Sequence, residues 1–200
     1  DDFLVNERLL RDMEFIVELD KMKTILRQTS LISQDRHEDD AQHSWHIAVM
    51  AMILDKYADE KIDTCKVIKM LLIHDLVELY AGDTFCYDKD ANRDKEEREL
   101  AAADKIFGML SQDKAREMRA LWDEFEEMET PEALFAASMD RLQPMLNNYH
   151  NQGGTWKKYD VPQADIYERI SPVKKSSTSL WEFVEYMLED AYDKGLINRR

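Results

Sequence analysis

The sequence predicts an all-α fold, a helical bundle with a metal site at its centre, and three observations carry that expectation. Apolar residues recur at helical spacing along most of the chain, and no convincing strand alternation competes with them. Only five Gly and four Pro interrupt 200 residues, too few for a β-sandwich or a disordered chain. The apolar run Met70–Leu79 is broken by His74, Asp75 and Glu78, and burying such groups without compensation is costly. At helical spacing His74 and Glu78 share a face, with Asp75 beside them. A divalent cation is the natural compensation, because neutral imidazole and carboxylate both ligate one.

In chain order, the period predicts an amphipathic helix from Phe3 to about Leu26, with Leu9, Leu10, Met13, Ile16, Val17, Leu19 and Met22 as its apolar face. Arg27 to His37 loses the period and reads as a loop. Asp39 or Asp40 is a fitting N-cap for a helix through Tyr57. That helix has two apolar faces, one with Ala41, Trp45, Ala48, Val49 and Met52, the other with His43, Ile47, Met50 and Leu54, as expected of a central helix. Thr64 can cap a helix that carries the His74 cluster and ends near Ala81-Gly82, where Gly suits a C′ position. Asp83 to Asp88 then forms a loop directly after the cluster.

The charge-rich stretch Asn92–Glu129 fits two amphipathic helices. One buries Leu100, Ala103, Ile106, Phe107 and Leu110, the other Met118, Leu121, Trp122 and Phe125, and their acidic residues read as solvated faces. Thr130-Pro131 starts the next helix with Pro at N1. Asp140 falls inside it, and Pro144, four residues on, is expected to kink or loosen it. Asn151 to Val161 reads as a loop around Gly153-Gly154. Ser176 to Ser179 offers caps for a last helix that Gly195 ends.

Composition narrows the functional classes. The net charge of −15 and the lack of a basic stripe exclude a nucleic-acid-binding surface. No apolar run reaches membrane length and no signal peptide is recognisable, so a cytoplasmic protein with no membrane partner is expected. Cys65 and Cys86 read as free thiols of such a protein. One domain, residues 1–200, is the expected organisation. The chain opens Asp1-Asp2 rather than Met, so a few preceding residues are expected.

Residues His43, His74, Asp75 and Asp140 lie on three expected helices, each in an apolar setting. Two imidazoles and two carboxylates carry −2, which one divalent cation cancels, and four N/O ligands leave room for water and a substrate oxygen. That set suits Mn²⁺, Co²⁺, Fe²⁺ or Mg²⁺ better than a closed zinc site. A lone histidine on an apolar helix is usually a satisfied core residue; it is the constellation that argues for ligation. His46 follows His43 by one turn but stands outside it. His37 and His150 read as surface or loop residues, and Trp45 and Trp156 as packing.

The order His43, His74-Asp75, Asp140 resembles the H…HD…D signature of HD-domain metal-dependent phosphohydrolases. Arg36-His37-Glu38-Asp39-Asp40-Ala41-Gln42-His43-Ser44-Trp45 is similar to the R-x-E-x-x-A-E-H-S-W segment of the small 5′-deoxynucleotidase-type members. His74 to Asp83 resembles their H-D-x-x-E-x-x-x-G-D segment. Leu26-Arg27-Gln28-Thr29 sits where they carry an Arg ahead of the first His, and Ser138-Met139-Asp140-Arg141-Leu142 where they carry the last Asp. The resemblance spans about Met22 to Trp156. Gln42 departs from the family Glu, and a changed contact behind the metal ligands is expected there.

The resemblance implies hydrolysis of deoxynucleoside 5′-monophosphates to nucleoside and phosphate, with His43, His74, Asp75 and Asp140 on one divalent cation. Glu78 and Asp83 would handle the proton, and Arg27 would face the transferring phosphate. Gln28, Asp83, Thr84, Phe85 and Cys86 would meet the rest of the nucleotide. It also implies a homodimer, for which Trp181 and Phe183 are apolar positions available near the C-terminus. Two competitors remain: an HD phosphohydrolase of nucleoside triphosphates or alarmones, and a regulatory protein that holds metal or nucleotide without turnover.

Overall fold

A computed structural model describes residues 6–198. It is all-α apart from one small hairpin. Helix α1 spans Glu7–Leu19 and is capped by Asn6, whose side chain accepts from the Arg8 amide at 2.9 Å; the expected start at Phe3 lies outside the described residues. Only Phe15 of α1 is buried. Leu9, Leu10, Met13, Ile16 and Val17 stay exposed, so the apolar face read from the period is real but has no cover among the described residues. A 3₁₀ turn, Asp20–Thr24, follows.

The segment expected to be a loop instead pairs β1 (Leu26–Ser30) antiparallel with β2 (His37–Asp39). The register matches Leu26 with Asp39 and Ser30 with His37 and is irregular between them. These strands are short and polar on both faces, so they carry no alternation for a sequence reading to detect. The hairpin feeds α2 (Asp40–Leu54) through a capping box. Asp39 accepts from the Gln42 amide at 2.8 Å and Gln42 Oε1 accepts from the Asp39 amide at 3.1 Å. Gln42 therefore closes the helix start and does not stand behind a metal ligand. On α2 the His43–Ile47–Met50 face is buried, whereas Trp45 and Met52 are exposed. The helix is thus covered on one side, and Trp45 does not pack in the core.

Helix α3 (Thr64–Ile73) is capped by Asp63 rather than Thr64. The long helix expected through Ala81 breaks at its chemical centre: His74–Val77 form a 3₁₀ turn, and α4 covers only Glu78–Ala81. At about 120° per residue, this turn carries Glu78 off the His74 face, which replaces the i to i+4 relation. Helices α5 (Lys95–Phe107) and α6 (Gln112–Glu127) follow as expected, although Leu100 is exposed. Helix α7 (Pro131–His150) starts at the Thr130 cap with Pro131 at N1 and continues without a break through Pro144. The expected loop after it contains α8 (Gly154–Lys158), and α9 (Gln163–Ile170) and α10 (Pro172–Ser176) precede α11 (Thr178–Asp193). No helix among the described residues is long and apolar enough to cross a membrane.

Two apolar cores result. The larger joins α2, α3, α7 and the C-terminal helices through Ile47, Leu71, Phe135, Met139 and Leu188. The smaller lies under α5 and α6, around Ile106, Phe107 and Trp122. Met70 and Leu71 belong to the first, Leu76 and Val77 to the second. The His74–Val77 turn therefore crosses the seam between the cores, where its polar side chains can face a cavity.

Candidate active site

Three elements bring the expected ligands together. His43 comes from the first turn of α2, His74 and Asp75 from the 3₁₀ turn, and Asp140 from the middle of α7. Donor atoms of His43, His74 and Asp75 lie within 4.8 Å of one another. Asp140 Oδ1 stands 2.9 Å from His43 Nε2 and 3.2 Å from His74 Nε2, and Asp75 Oδ1 stands 3.0 Å from His74 Nε2.

The far side of each ring fixes what the near side offers. His74 Nδ1 donates to the Leu71 carbonyl at 2.7 Å, an oxygen that can only accept. The neutral ring then presents the Nε2 lone pair to two carboxylates. His43 Nδ1 faces Gln143 Oε1 at 3.0 Å. The Gln143 amide nitrogen points to Glu38 Oε1 at 2.6 Å and to His46 Nδ1 at 3.1 Å. With both amide hydrogens committed, Oε1 must accept from His43, and Nε2 of His43 also turns its lone pair inward. Lone pairs and anions converge on one point, which only a cation satisfies. This donor set fits the expected divalent ion.

Where no such ion intervenes, a proton takes its place. Burial pulls the His74 pKa down, but Asp75 and Asp140 outweigh it and hold the ring well above the ordinary histidine range. Burial opposes the charge on Asp75 too, yet His74 beside it brings its carboxyl to about 2. Asp140 is likewise held well below the usual range, chiefly by His74 against its own burial.

A second acidic group adjoins the first. Asp40, Glu78 and Asp83 have carboxylate oxygens within 4.8 Å of one another. Asp40 is fully buried against Glu78, and the two carboxyls hydrogen-bond only when one of them carries a proton. Burial, and after it the charge of Asp75, pushes Asp40 up to about 7. The same two causes raise Glu78 well above its usual value, and burial raises Asp83. These three carboxylates can share protons or hold a cation of their own. Asp40 read from the sequence only as a helix cap; its burial is what marks it.

Arg27, from β1, is the counter-charge between the two groups. Its guanidinium lies 3.3 Å from Asp75, 3.4 Å from Glu38 and 3.6 Å from Asp40, with 15% of the side chain exposed. Backbone geometry places Asp83: Gly82 has φ +80° and ψ 157°, a region essentially reserved for glycine, and the chain turns there back toward Glu78. Arg98 pins the following loop, donating to the carbonyls of Ala81 (2.7 Å) and Ala91 (2.9 Å) and to Thr84 Oγ1 (3.1 Å).

One cavity takes in this ground. Arg27, Gln28, His74, Asp75, Glu78, Asp83, Thr84, Phe85, Cys86 and Asp140 all line it, while His43 stands behind the wall. Sequence reading missed other lining residues: Lys95 and Glu99 on α5, Glu126 on α6, Arg141 on α7, Trp156 on α8 and Arg169 on α9. The charge run Asn92–Glu129 is thus more than a solvated face, because Lys95, Glu99 and Glu126 turn into the cavity. His37 is not a loose loop residue either, since its Nδ1 faces the Arg27 carbonyl across the hairpin.

Comparison with known proteins agrees with this geometry. The chain is 33% identical over 144 residues to 5′-deoxynucleotidase HDDC2 of Dictyostelium discoideum, covering 68% of this chain and 75% of that one. It is 30% identical over 111 residues to 5′-deoxynucleotidase HDDC2 of Homo sapiens, covering 56% and 53%; the match thus spans about half of the human protein. Among solved structures it is similar to "Predicted metal-dependent phosphohydrolase" from Magnetospirillum magnetotacticum MS-1, with TM-score 0.91, 47% identity and 95% of each chain covered. PH0347 protein from Pyrococcus horikoshii OT3 aligns with TM-score 0.63 at 26% identity, over 91% of this chain and 99% of that one. Residues 19–181 match the family described as HD domain, and the chain belongs to that family.

Proposed function

We propose that this chain, as one HD domain, is a divalent-metal-dependent phosphohydrolase that cleaves deoxynucleoside 5′-monophosphates to nucleoside and phosphate. The observation that carries the reading is the inward turn of both histidine lone pairs toward Asp75 and Asp140, on the wall of a cavity that also holds Glu78 and Asp83. His43, His74, Asp75 and Asp140 would hold one cation of the Mn²⁺, Co²⁺, Fe²⁺ or Mg²⁺ type. Bound there, it supplies Lewis acidity to a phosphoryl oxygen and acidifies water. The metal-dependent phosphohydrolase from Magnetospirillum and the deoxynucleotidases named above support the reaction class.

The chain's own residues supply the rest. Glu78, raised by burial among Asp75, Asp40 and Asp83, is placed to take a proton from attacking water and return it to the leaving 5′-oxygen. Asp83 orients that exchange from the loop. Arg27 holds charge against Asp75 at 3.3 Å, and at 3.6 Å from Asp40 it opposes, without overcoming, the burial that raises that carboxyl. Gln28, Thr84, Phe85 and Cys86 line the part of the cavity where the nucleoside would lie.

We assign the active protein to the cytoplasm and to a homodimer. Of the C-terminal positions, Trp181 is half-buried against the core while Phe183 is exposed and stays available for a contact. Trp45, Met52 and Ile53 form an exposed apolar stripe on α2 that suits a second copy of the chain. Trp45→Glu should then give monomers by light scattering; an unchanged dimer would move the interface elsewhere. The activity is tested by phosphate release from a panel of deoxy- and ribonucleoside mono- and triphosphates, with Mn²⁺, Co²⁺ or EDTA. Release confined to triphosphates would replace the substrate assignment, and no release from any would replace the enzyme.

A further inference from the structure

Asp140 faces two ways. Its Oδ1 meets both histidines, and its Oδ2 lies 3.7 Å from Arg169 Nη2. The Arg169 guanidinium therefore sits one carboxylate away from the metal-facing donors, on the lining of the same cavity. It is carried by α9, which Ile166 and Ile170 anchor in the core. Arg141 Nη1 donates to the Arg169 carbonyl at 3.0 Å, so the backbone is fixed while a third of the side chain remains exposed (33%).

The other cations of the wall have partners. Arg27 serves three carboxylates, Lys95 lies 3.5 Å from Glu99, and Arg141 holds the α9 backbone. Among the described residues Arg169 has its single long approach to Asp140 and no side-chain hydrogen bond. Its planar fork can still grip two oxygens of a phosphate. Charge balance calls for this: the four ligands carry −2, a divalent ion cancels it, and a phosphomonoester dianion arrives at a neutral centre that needs further positive charge.

We infer that Arg169 binds the non-bridging oxygens of the substrate phosphate and positions it over the metal-facing donors. The inference rests on the phosphohydrolase reading and replaces Arg27 as the principal phosphate ligand.

The test compares wild type, Arg169→Ala and Arg169→Lys. Calorimetric titration of inorganic phosphate into Mn²⁺-loaded protein reads binding without turnover. Elemental analysis reads metal content, and kinetics on a deoxynucleoside monophosphate read kcat/KM. Arg169→Ala is expected to keep its metal, bind phosphate more weakly by about tenfold or more, and lose on the order of 10²-fold in kcat/KM. Arg169→Lys should fall between, and free guanidinium should restore part of the Arg169→Ala turnover. Wild-type phosphate affinity in Arg169→Ala overturns the assignment. So does a loss of affinity that accompanies loss of metal, because Asp140 would then be the residue disturbed. If wild type releases phosphate from no nucleotide while Arg169→Ala loses phosphate binding, the phosphohydrolase reading fails and the phosphate site stands.

Discussion

The Gln143 amide donates to Glu38 at 2.6 Å while its oxygen faces the His43 ring, so a carboxylate on the hairpin sets a lone pair on α2 through a side chain of α7. Glu38 can only accept, which forces the amide orientation and hence the His43 tautomer. We predict that Gln143→Leu, which keeps much of the volume, weakens Mn²⁺ binding by about 10- to 100-fold with the fold retained. Calorimetric Mn²⁺ titration checks it, with circular dichroism as the fold control. Wild-type affinity in Gln143→Leu would reduce the relay to packing.

The two acidic groups should separate metal retention from turnover. His74→Ala and Asp75→Ala remove ligands and are predicted to empty the site. Glu78→Gln keeps the size of the side chain but cannot take a proton, and should cost ~10²–10⁴ in rate while the His43–His74 site stays loaded. Asp83→Asn is expected to behave alike. Elemental analysis paired with phosphate release separates these outcomes. If Glu78→Gln lost metal as completely as His74→Ala, Glu78 would be a ligand.

How much of this could be read from the sequence follows from how local each cause is. Helices were legible because their period and caps lie within a few residues, as at Thr130-Pro131. That His43, His74, Asp75 and Asp140 would meet could be expected because two histidines and two aspartates recur in apolar helical runs; no one of them signals it alone. The hairpin was not legible, since its pairing is non-local and its strands lack alternation. Nor was the break at His74, where composition still reads as helix and the seam between two cores decides the turn. Gln143 could have been suspected as a polar residue one turn from Asp140 on a buried helix. Arg169 offered no signal, because only tertiary packing of α9 brings it to Asp140.

Gly82 supplies a test of backbone control. An added Cβ at Gly82 meets nothing within 4 Å, so space is not the constraint; φ +80° with ψ 157° is. Gly82→Ala is predicted to cost about 1–3 kcal/mol if the turn is kept, or to relax the turn and draw Asp83 away from Asp40 and Glu78. Either way turnover should fall more than metal content does. A variant with wild-type melting temperature and wild-type rate would show that the turn tolerates a side chain.

The last prediction concerns pH and metal together. Asp40 is pushed up to about 7 from an ordinary 3.8 by burial and then by Asp75. His74 is raised from 6.5, its acidic neighbours outweighing its burial. A group whose folded pKa is raised stabilises the fold fully below its unfolded value and loses that contribution as pH rises through the folded value. Asp40 therefore withdraws support between about pH 4 and 7, and His74 withdraws its own above pH 6.5. Asp75, brought to about 2, acts in the other direction only as pH falls through the range below 3.8. In EDTA the chain should melt at a lower temperature at pH 8 than at pH 5.5. Metal must displace the His74 proton, so saturating Mn²⁺ should raise the melting temperature more at pH 8 than at pH 5.5. Asp40→Asn removes one of the raised titrations, with Glu78, Asp83 and Glu126 still in place, and leaves Glu38 and Asp75 facing Arg27. It should raise the pH 8 melting temperature in EDTA and make the fall between pH 4 and 7 shallower. Equal Mn²⁺ stabilisation at both pH values would mean that no proton leaves on binding, and His74 would then not hold a proton in the metal-free site.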